Sequence, residues 1–590
     1  MKRYTFYGMN FDIAGGEEAG AELTCGRRGP DRMDLEFTVR LNEGKFPQKT
    51  SVRFKAPCRD VFSAWNPTCR FSRLVPPNWA PAVSASRAAS GAPVLALIGK
   101  SGRNRLTIAV SDASTPMKIT AGFCEEDGCA DCAVEFFTET TGKRDRYRAV
   151  IRLDARDAAF YDCIGDVRKW WAAEGGYRSA FVPETARLPV YSAWYSFHQR
   201  IDVDGIAEQC RLAKELGCES LIVDDGWQTD DSARGYAFCG DWKVCPAKIP
   251  DMKAFVKRIH GLGMKFLLWY SVPFVGRHSK AWDRFEGKFL EEQKGQNVRV
   301  LDPRFREVRD YLTDLYETAV REWDLDGFKL DFIDSFRLTP QSSFAPDDGR
   351  DFDSLEDAVE ELLRQALAKI RAVKPDACIE FRQGYIGPLM QGYGNMLRVG
   401  DCPGDALSNR VGSLDLRLTS GTTAVHSDML TWNGGDSAES AAMQLIAALY
   451  CVPQISVRID ALPQSHREML RFYLKFWRDN RDVLLDGRLK LFGPEANYSL
   501  ATAEKDGRMI ATAYSDPVLR LGDPPPESVV FVNGTGDTRL LVQCAGSFGP
   551  RKYRVLDCRG NTAAEGRAEL DEGVRVFDVP VSGMVVLGGR

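Results

Sequence analysis

The decapeptide LDGFKLDFID, residues 325–334, places charged side chains inside a segment that otherwise has the composition of a buried strand. Lys329 and Asp331 alternate with three apolar residues, so both charged groups point to the same face of the strand. A strand buried in a parallel sheet is usually a nearly continuous apolar run, and burying a carboxylate is costly unless it is paired or used. The segment therefore indicates an ion pair or a functional site inside the sheet.

The region around this segment, residues 185–482, alternates short apolar strands with helical periodicities. Such alternation is typical of βα units around a parallel sheet. The strand candidates are VYSAWYS, SLIVDDG, MKFLLWYS, DGFKLDF, CIEFRQG, MLRVGD, TTAVHSD and QISVRID. Eight candidates over this length predict a (β/α)8 TIM barrel, which is our catalytic-domain interpretation.

The flanking regions have a different sequence pattern, in which short runs of alternating apolar and polar residues are separated by turn residues. Residues 1–180 contain DLEFTVRL, VLALIG, RLTIAV and YRAVIRL, followed by the helical segment YDCIGDVRKWWAAEGG. Residues 485–590 contain SVVFVNG, RLLVQCA and KYRVLDC. These patterns predict an N-terminal β-sandwich with a bridging helix and a smaller, antiparallel C-terminal β-sandwich, so the whole fold is multidomain α/β and β.

Composition restricts the classes of partner. The 590 residues carry a net charge of -4, which gives no basic field and argues against a nucleic-acid binder. No apolar run approaches the roughly 20 residues of a membrane helix. No apolar run follows the basic residues of the N-terminus, so we see no signal peptide and predict a cytoplasmic protein, although a chain with its leader already removed would look the same.

The sixteen cysteines raise the question of a metal site. Cys124, Cys129 and Cys132 cluster in CEEDGCADC, but they lack the paired CxxC spacing of a dependable zinc site. We therefore predict scattered reduced thiols and no metal.

Polar residues collect where the predicted barrel strands end. In a barrel of this type the carboxyl ends of the strands form the active-site face. From the second strand to the eighth, these residues are Asp224, Asp225 and Trp227; Lys329, Asp331 and Asp334; Glu380 and Arg382; Arg398 and Asp401; His426 and Asp428; and Arg458 and Asp460. Their concentration at one rim predicts a functional pocket.

A ring of carboxylates without a His or Cys cluster favours sugar chemistry over metal chemistry. Glycoside cleavage commonly uses two carboxyl groups that flank the scissile bond. Asp331 is the predicted nucleophile, because Lys329 on the same face favours its ionised form. Asp401, on a different strand, is the predicted acid. Asp405 is the rival candidate for this role, and Arg398 is expected to orient or neutralise the rival.

The motifs LIVDDGWQ, GFKLDF and RVGDCPGD, in this order on a barrel between two sandwiches, resemble glycoside hydrolase family 36, the α-galactosidase or melibiase family, and its relatives in clan D. The resemblance implies that Asp331 forms a covalent glycosyl-enzyme and that Asp401 is the acid/base. It also implies substrate-binding roles for a further group, with no cofactor. These residues are Asp224 and Asp225 for the O4 and O6 hydroxyls, Lys329 for hydroxyls beside the nucleophile, Trp194 and Trp227 for the pocket wall, and Asp241 and Trp242 in a shared loop.

Two positions depart from the family pattern on the side expected to face the sugar's 2-hydroxyl. Arg382, in EFRQGYIGP, stands where relatives often have Cys followed by paired glycines, and Ile333 stands where an Asn often occurs. Arg382 could bind a hydroxyl, bind the carboxylate of an acidic sugar, or pair with Glu380. His426, in AVHSDML, and Arg398, in RVGDCPGD, are further substrate-binding candidates near the rim.

The sequence thus predicts a retaining, exo-acting α-glycoside hydrolase that cleaves terminal α-galactosides. The alternatives are an α-galactosyl transferase of the raffinose-synthase type, an α-N-acetylgalactosaminidase, another α-glycosidase of the clan, and a carbohydrate-binding protein without catalysis. The predicted partner is a carbohydrate, and the sequence gives no oligomeric state.

Overall fold

The computed structural model describes residues 1–29, 31–41, 44–342, 349–382 and 384–588.

The N-terminal region is a sandwich of two six-stranded antiparallel sheets. The first twelve strands are β1 (Lys2–Phe6), β2 (Met9–Gly15), β3 (Ala21–Gly29), β4 (Arg32–Arg40), β5 (Thr50–Pro57), β6 (Val61–Trp65), β7 (Ala82–Ser86), β8 (Val94–Gly99), β9 (Asn104–Val110), β10 (Met117–Phe123), β11 (Cys129–Phe136) and β12 (Arg146–Asp154). The sheet orders are β1-β2-β5-β11-β10-β7 and β3-β4-β12-β9-β8-β6, and the helix α1 (Phe160–Glu174) follows.

The middle region is a closed barrel of eight parallel strands. Its elements are β13 (Val190–Ser192), α2 (Trp194–Phe197), α3 (Val203–Glu215), β14 (Ser220–Val223), α4 (Met252–Gly261), β15 (Lys265–Ser271), β16 (Phe274–Gly276), α5 (Lys280–Arg284), β17 (Phe289–Gln293), β18 (Val298–Leu301), α6 (Arg306–Trp323), β19 (Gly327–Asp331), α7 (Leu355–Val373), β20 (Cys378–Arg382), β21 (Met396–Arg398), α8 (Ala406–Thr419), β22 (Ala424–Leu430), α9 (Ala438–Ala447), β23 (Val452–Ile455), α10 (Gln464–Asp479) and α11 (Arg481–Asp486). The barrel order is β13-β14-β15-β19-β20-β21-β22-β23. All eight predicted strands are confirmed, and β16, β17 and β18 form a small separate sheet.

The strand that carries the opening decapeptide is fixed by close packing at its start. A Cβ atom on Gly327 would collide with the backbone of Cys378 on the neighbouring strand, so only glycine allows the two strands to approach there. From Gly327 the strand runs to Asp331, which pairs in register with Ser271. Asp331 therefore lies at the carboxyl end of β19, at the mouth of the barrel.

The C-terminal region is a second sandwich, but its sheets are mixed. Its strands are β24 (Arg488–Phe492), β25 (Leu500–Lys505), β26 (Arg508–Ala513), β27 (Val518–Leu521), β28 (Ser528–Asn533), β29 (Arg539–Cys544), β30 (Pro550–Leu556), β31 (Thr562–Glu569), β32 (Gly573–Asp578) and β33 (Met584–Leu587), in sheets β24-β25-β26-β28-β33-β30-β31 and β27-β29-β32. The pairs β26–β28 and β27–β29 are parallel, so the prediction of an antiparallel sandwich was wrong for these pairs. The reason is that the chain alternates between the two sheets here and returns to each in the same direction.

One buried cluster joins all three regions. Arg73 of the N-terminal sandwich places Nη2 2.9 Å from both carboxylate oxygens of Asp415 on α8. Trp65 donates to Asp415 Oδ1 at 2.8 Å, and the Tyr498 hydroxyl, from the C-terminal region, donates to it at 2.5 Å. Arg73 and Asp415 are 3% and 0% exposed, so neither charge is compensated by water. The ion pair therefore depends on both partners being present.

The described residues contain no helix that is both long enough and apolar enough to cross a bilayer. The predicted region boundaries, at residues 1–180, 185–482 and 485–590, stay predictions.

We expect Asp415→Ala to destabilise the protein strongly. The substitution leaves the Arg73 guanidinium buried without a counter-ion, which typically costs about 3–5 kcal/mol. The measurement is the midpoint of urea unfolding, and Asp479→Ala, which removes an exposed pair with Lys475 on α10, is the matched control. Equal midpoints for the two variants would contradict the role of the buried cluster.

Candidate active site

Asp331 lies at the barrel mouth and accepts four hydrogen bonds, which are divided unevenly between its two carboxylate oxygens. Oδ1 accepts from Arg382 Nε at 2.6 Å, from the Phe332 backbone N–H at 2.8 Å, and from the Tyr385 hydroxyl at 3.3 Å. Oδ2 accepts from Trp269 Nε1 at 3.1 Å. Among the described residues, Oδ1 thus has three donors and Oδ2 one, which leaves Oδ2 with a lone pair available for chemistry.

The backbone beside Asp331 is strained in a way that supports this arrangement. Phe332 has φ 63° and ψ 17°, the left-handed region that bulky residues rarely adopt. This conformation turns the Phe332 N–H back onto Asp331 Oδ1. Strain of this kind, of order 1–3 kcal/mol, persists only where surrounding contacts hold it, and it concentrates at functional sites.

The charge on Asp331 is set mainly by Arg382. Burial alone would raise the pKa of Asp331, but Arg382, and after it Lys329, lowers that pKa to about 2. Lys329 therefore lowers the pKa of Asp331, as predicted from sequence, but its effect is smaller than that of Arg382. The reason is geometric, because the Lys329 ammonium bonds directly to Asp224 Oδ2 at 2.5 Å rather than to Asp331.

The acid pair after β14 has two separate environments. Asp224 forms an ion pair with Lys329, from which its Oδ2 accepts a hydrogen bond, and its side chain is 5% exposed. Asp225 accepts from Gln228 at 2.7 Å and from Gln199 at 2.5 Å. Burial raises the pKa of Asp225 to about 6, although both amides oppose the shift. The pair therefore combines a carboxylate that is ion-paired with Lys329 and a carboxyl that is more easily protonated.

Arg398 organises the opposite part of the rim. Its guanidinium donates to Asp401 Oδ1 at 2.9 Å, contacts Asp428, and lies 3.4 Å from Glu380. Asp428 also accepts from the Tyr195 hydroxyl at 2.9 Å and from the Cys402 backbone N–H at 2.7 Å. One buried cation thus contacts three carboxylates, Asp401 among them, and the contact of Arg398 with substrate stays a prediction.

Asp401 differs from the other two carboxylates that Arg398 contacts, because its side chain is 63% exposed. Its partial burial raises the pKa, but Arg398 and Lys329 outweigh that effect and hold the pKa of Asp401 below its ordinary value. Asp331 ends β19 and Asp401 follows the end of β21, so the two carboxylates lie at the same mouth of the barrel. Asp405, the rival acid, instead caps the N-terminus of α8 through the Ser408 backbone N–H at 3.0 Å.

The likeness to known proteins follows the barrel most closely. Residues 179–353 match the family model described as Melibiase. α-Galactosidase AgaA of Geobacillus stearothermophilus is 26% identical over 184 residues, which are 29% of this chain and 24% of that protein. α-Galactosidase Mel36A of Lactobacillus acidophilus is 31% identical over 165 residues, or 26% and 21% of the two chains. This chain resembles the melibiases. The matched part spans less than a quarter of the length of either relative.

Solved structures extend the likeness to the whole fold. A crystal structure of a GH36 α-galactosidase AgaA variant from G. stearothermophilus, in complex with 1-deoxygalactonojirimycin, has a TM-score of 0.65 at 14% identity and covers 99% of this chain and 84% of that one. The α-galactosidase from Lactobacillus brevis has a TM-score of 0.63 at 14% identity, covering 98% and 80%. The barrel with its two flanking sandwiches is therefore the fold of GH36 α-galactosidases.

The family match covers only part of the candidate site. Lys329, Asp331 and the Asp224–Asp225 pair lie within residues 179–353. Asp401 and the two arginines that touch the carboxylates lie beyond it. The melibiase likeness in sequence therefore covers the Asp331 side of the site, whereas the Asp401 side is described by the geometry above alone.

Three residues that were predicted to bind substrate are buried. Trp227 is fully buried and donates to the Trp269 carbonyl at 2.9 Å, and Trp242 stacks on it with ring centroids 5.8 Å apart. His426 is also fully buried and bonds the carbonyl of Ala186, which precedes β13, at 2.8 Å. Both indoles pack among barrel aromatics next to Trp269, and their contact with sugar stays a prediction. The prediction for His426 was wrong, because its imidazole points toward the opposite end of the barrel.

Two further candidates have defined but different positions. Asp241 accepts the backbone N–H groups of Lys280 and Ala281, each at 3.0 Å, so it caps α5. Trp194 begins α2, directly after β13, and its partly exposed ring lies edge-on to His198 at 4.8 Å. Trp194 therefore keeps a position at the carboxyl end of the barrel, and its contact with sugar stays a prediction.

Arg382 does not make the structural pair with Glu380 that was considered from sequence, and its contact with sugar stays a prediction. Its partner is Asp331, with Asp334 at 3.5 Å, and not Glu380, so the predicted structural alternative was wrong. Glu380 points into the barrel toward Arg398 and Gln454, whereas Arg382, two residues later, reaches the rim. Arg382 also lies 5.1 Å above the Phe332 ring.

Sequence reasoning missed Trp269, Tyr385 and Tyr195, the neutral donors to the carboxylates. Trp269 could have been found, because it lies on the third barrel strand opposite Lys329 in register. Tyr385 lies in the loop after β20 and Tyr195 lies in α2, the single helical turn after β13, and at neither position does the sequence give a side-chain direction.

No group of three or more His, Cys, Asp or Glu side chains among the described residues is placed to hold a metal ion. The sixteen cysteines are all free thiols.

We expect Arg382→Gln to move the acidic limb of the pH–kcat/KM profile to higher pH. Removing the guanidinium raises the pKa of Asp331, so the ionised carboxylate is lost at a higher pH as the solution is acidified. The measurement is kcat/KM between about pH 3 and 8. Arg337→Gln, at an exposed arginine in the loop after β19, is the control. An unmoved limb would show that Arg382 does not set the charge of Asp331.

Proposed function

We propose that this chain is a retaining, exo-acting α-glycoside hydrolase that acts on terminal α-galactosides through a covalent glycosyl-enzyme. The observation that carries the proposal is the asymmetric carboxylate of Asp331: in the part of the chain that the structure describes, Oδ1 accepts from three donors and Oδ2 accepts from Trp269 alone. A carboxylate held in this way is ionised, fixed in one rotamer and able to attack with one oxygen. Such a group is what the first step of a double displacement requires.

In the first displacement, Asp331 Oδ2 attacks the anomeric carbon from the face opposite the leaving group. The C1–O bond breaks, and Asp401 transfers its proton to the departing oxygen. Trp269 keeps Oδ2 aimed at the mouth, and Arg382 with Tyr385 holds Oδ1 in place as negative charge leaves the carboxylate. The bound intermediate is an ester between Asp331 and C1.

In the second displacement, Asp401 is the base. It takes a proton from water, the water oxygen attacks C1, and the bond between C1 and Asp331 breaks. Arg398 keeps Asp401 ionised for this step. For the first step the carboxyl must carry a proton, and a bound sugar favours that by excluding water from a side chain that is 63% exposed without it.

The substrate class is proposed from the acid pair and from the relatives. Asp224 and Asp225 lie side by side at the end of β14, where two carboxyls can accept bonds from neighbouring sugar hydroxyls. The AgaA variant in the neighbouring structure holds 1-deoxygalactonojirimycin, and another AgaA structure holds raffinose. An α-galactoside with its O4 and O6 hydroxyls on this acid pair is the ligand that fits both lines of support.

We expect Asp331→Gly and Asp401→Gly to lose at least about a thousand-fold in kcat on an unactivated α-galactoside, because each removes one of the two carboxyls. Sodium azide distinguishes their roles. With an activated aryl α-galactoside, azide should give the β-galactosyl azide in Asp331→Gly by a single inversion. It should give the α-galactosyl azide in Asp401→Gly, where the enzyme ester still forms. Asp405→Gly is the control, and the opposite pairing of products would overturn the assignments.

A panel of aryl α-glycosides that differ at C2, C4 and C6 tests the substrate class. The wild type should prefer the galactoside, and Asp224→Asn should lower kcat/KM for it by about a hundred-fold or more, since a charged hydrogen bond to a hydroxyl is lost. An equal loss on the epimer with equatorial O4 would contradict the axial-O4 assignment. Preference for the glucoside, the xyloside or the N-acetylgalactosaminide would select the corresponding alternative, and dominant transfer to an added sugar would select the transferase.

A further inference from the structure

A loop of the N-terminal sandwich reaches the acid side of the site. Arg70 and Phe71, from the segment between β6 and β7, line a small recess together with Asp401, Cys402 and Val411. Nothing in the double displacement derived above uses these two side chains. Their position beside Asp401 is nevertheless specific, because the other residues of this recess belong to the acid loop and the first turns of α8.

The loop is held by its own hydrogen bonds. The Asn66 side chain accepts from the Thr68 backbone N–H at 2.9 Å and donates to the Val83 carbonyl at 3.2 Å. The Ser72 N–H donates to the Cys69 carbonyl at 2.9 Å. These bonds fix the chain on both sides of Arg70 and Phe71, so the two side chains are presented from a defined backbone.

Both walls of the recess are anchored to the same buried residue. Arg73, two residues after Phe71, pairs with Asp415, and Asp415 is part of α8. The same helix begins at its cap Asp405, directly after the acid loop. The distance between the N-terminal loop and Asp401 is therefore fixed by the Arg73–Asp415 pair and not by chance contact at the surface.

The two residues have the features of a ligand-contacting surface. Arg70 has φ 50°, a left-handed conformation that costs a non-glycine residue about 1–3 kcal/mol and so needs a reason to persist. Phe71 leaves 44% of its surface exposed, although folded proteins bury most large apolar side chains. A strained cation and an exposed ring therefore stand together beside the proposed proton donor.

We propose that Arg70 and Phe71 form the leaving-group subsite and that its ligand is a second sugar ring. The inference depends on the proposed function, because Asp401 must protonate the glycosidic oxygen. The atoms beyond that oxygen then lie on the Asp401 side of the mouth, where Phe71 can cover the apolar face of a pyranose and Arg70 can donate to its hydroxyls. The N-terminal sandwich thus selects what is attached to the galactosyl unit.

The test compares two substrates that share the galactosyl unit. Melibiose has a sugar leaving group, whereas α-galactosyl fluoride has a leaving group without a ring. We expect Phe71→Ala to lower the ratio of kcat/KM for melibiose to kcat/KM for the fluoride about ten-fold, the size of one stacked contact. Arg70→Gly should lower the same ratio about three- to ten-fold, and glycine keeps the left-handed backbone so that the loop is preserved.

Leu74→Ala is the matched control, since Leu74 is an exposed apolar residue of the same loop that does not line this recess. The ratio should stay at the wild-type value in this variant. A wild-type ratio in both Phe71→Ala and Arg70→Gly would overturn the subsite. Failure of the wild type to cleave either substrate would instead refute the proposed function. Circular dichroism and the unfolding midpoint of each variant confirm that the loop substitutions leave the fold intact.

Discussion

The ion pair between Arg382 and Asp331 is the interaction on which the site depends. A carboxylate inside a barrel would normally take up a proton as water is excluded, and it could not then attack an electrophile. Arg382 reverses that tendency while leaving one oxygen uncovered. The neighbouring cations act on the same principle. Lys329 is paired with Asp224, and Arg398 is divided among three carboxylates. Each charge at the mouth therefore has a protein partner before any substrate arrives.

Much of the barrel follows from local sequence, because strand periodicity and helix spacing are short-range signals. The eight strands and the shared face of Lys329 and Asp331 could be predicted in this way. The position of His426 could not, because the pairing of β22 with β23 shifts register between His426 and Met429. That irregularity leaves Asp428 at the mouth and His426 inside the barrel. A run of alternating apolar and polar residues does not predict such a shift in register.

The tryptophans show a second limit. Trp227 follows an acid pair at a strand end, as a pocket residue would, yet its ring turns into a cluster with Trp242 and Tyr270. An aromatic side chain near a rim can serve the core or the ligand, and the choice depends on which helices pack beside it. For Arg382, likewise, the sequence does not show which charged side chain is its partner. Its partner comes from the adjacent strand, and only the closed barrel places the two side chains within hydrogen-bonding distance.

The left-handed backbone of Phe332, the residue after Asp331, limits which side chains can stand at this position. Glycine would adopt the backbone of Phe332 without strain, but it would also delete a ring that stacks on Phe274 and underlies the Arg382 guanidinium. Any smaller residue with a Cβ would keep the conformational penalty and lose the packing. Relief of the strain and retention of the ring beneath the arginine are thus mutually exclusive at this position. The chain keeps the ring, and the cost of the left-handed backbone is the consequence.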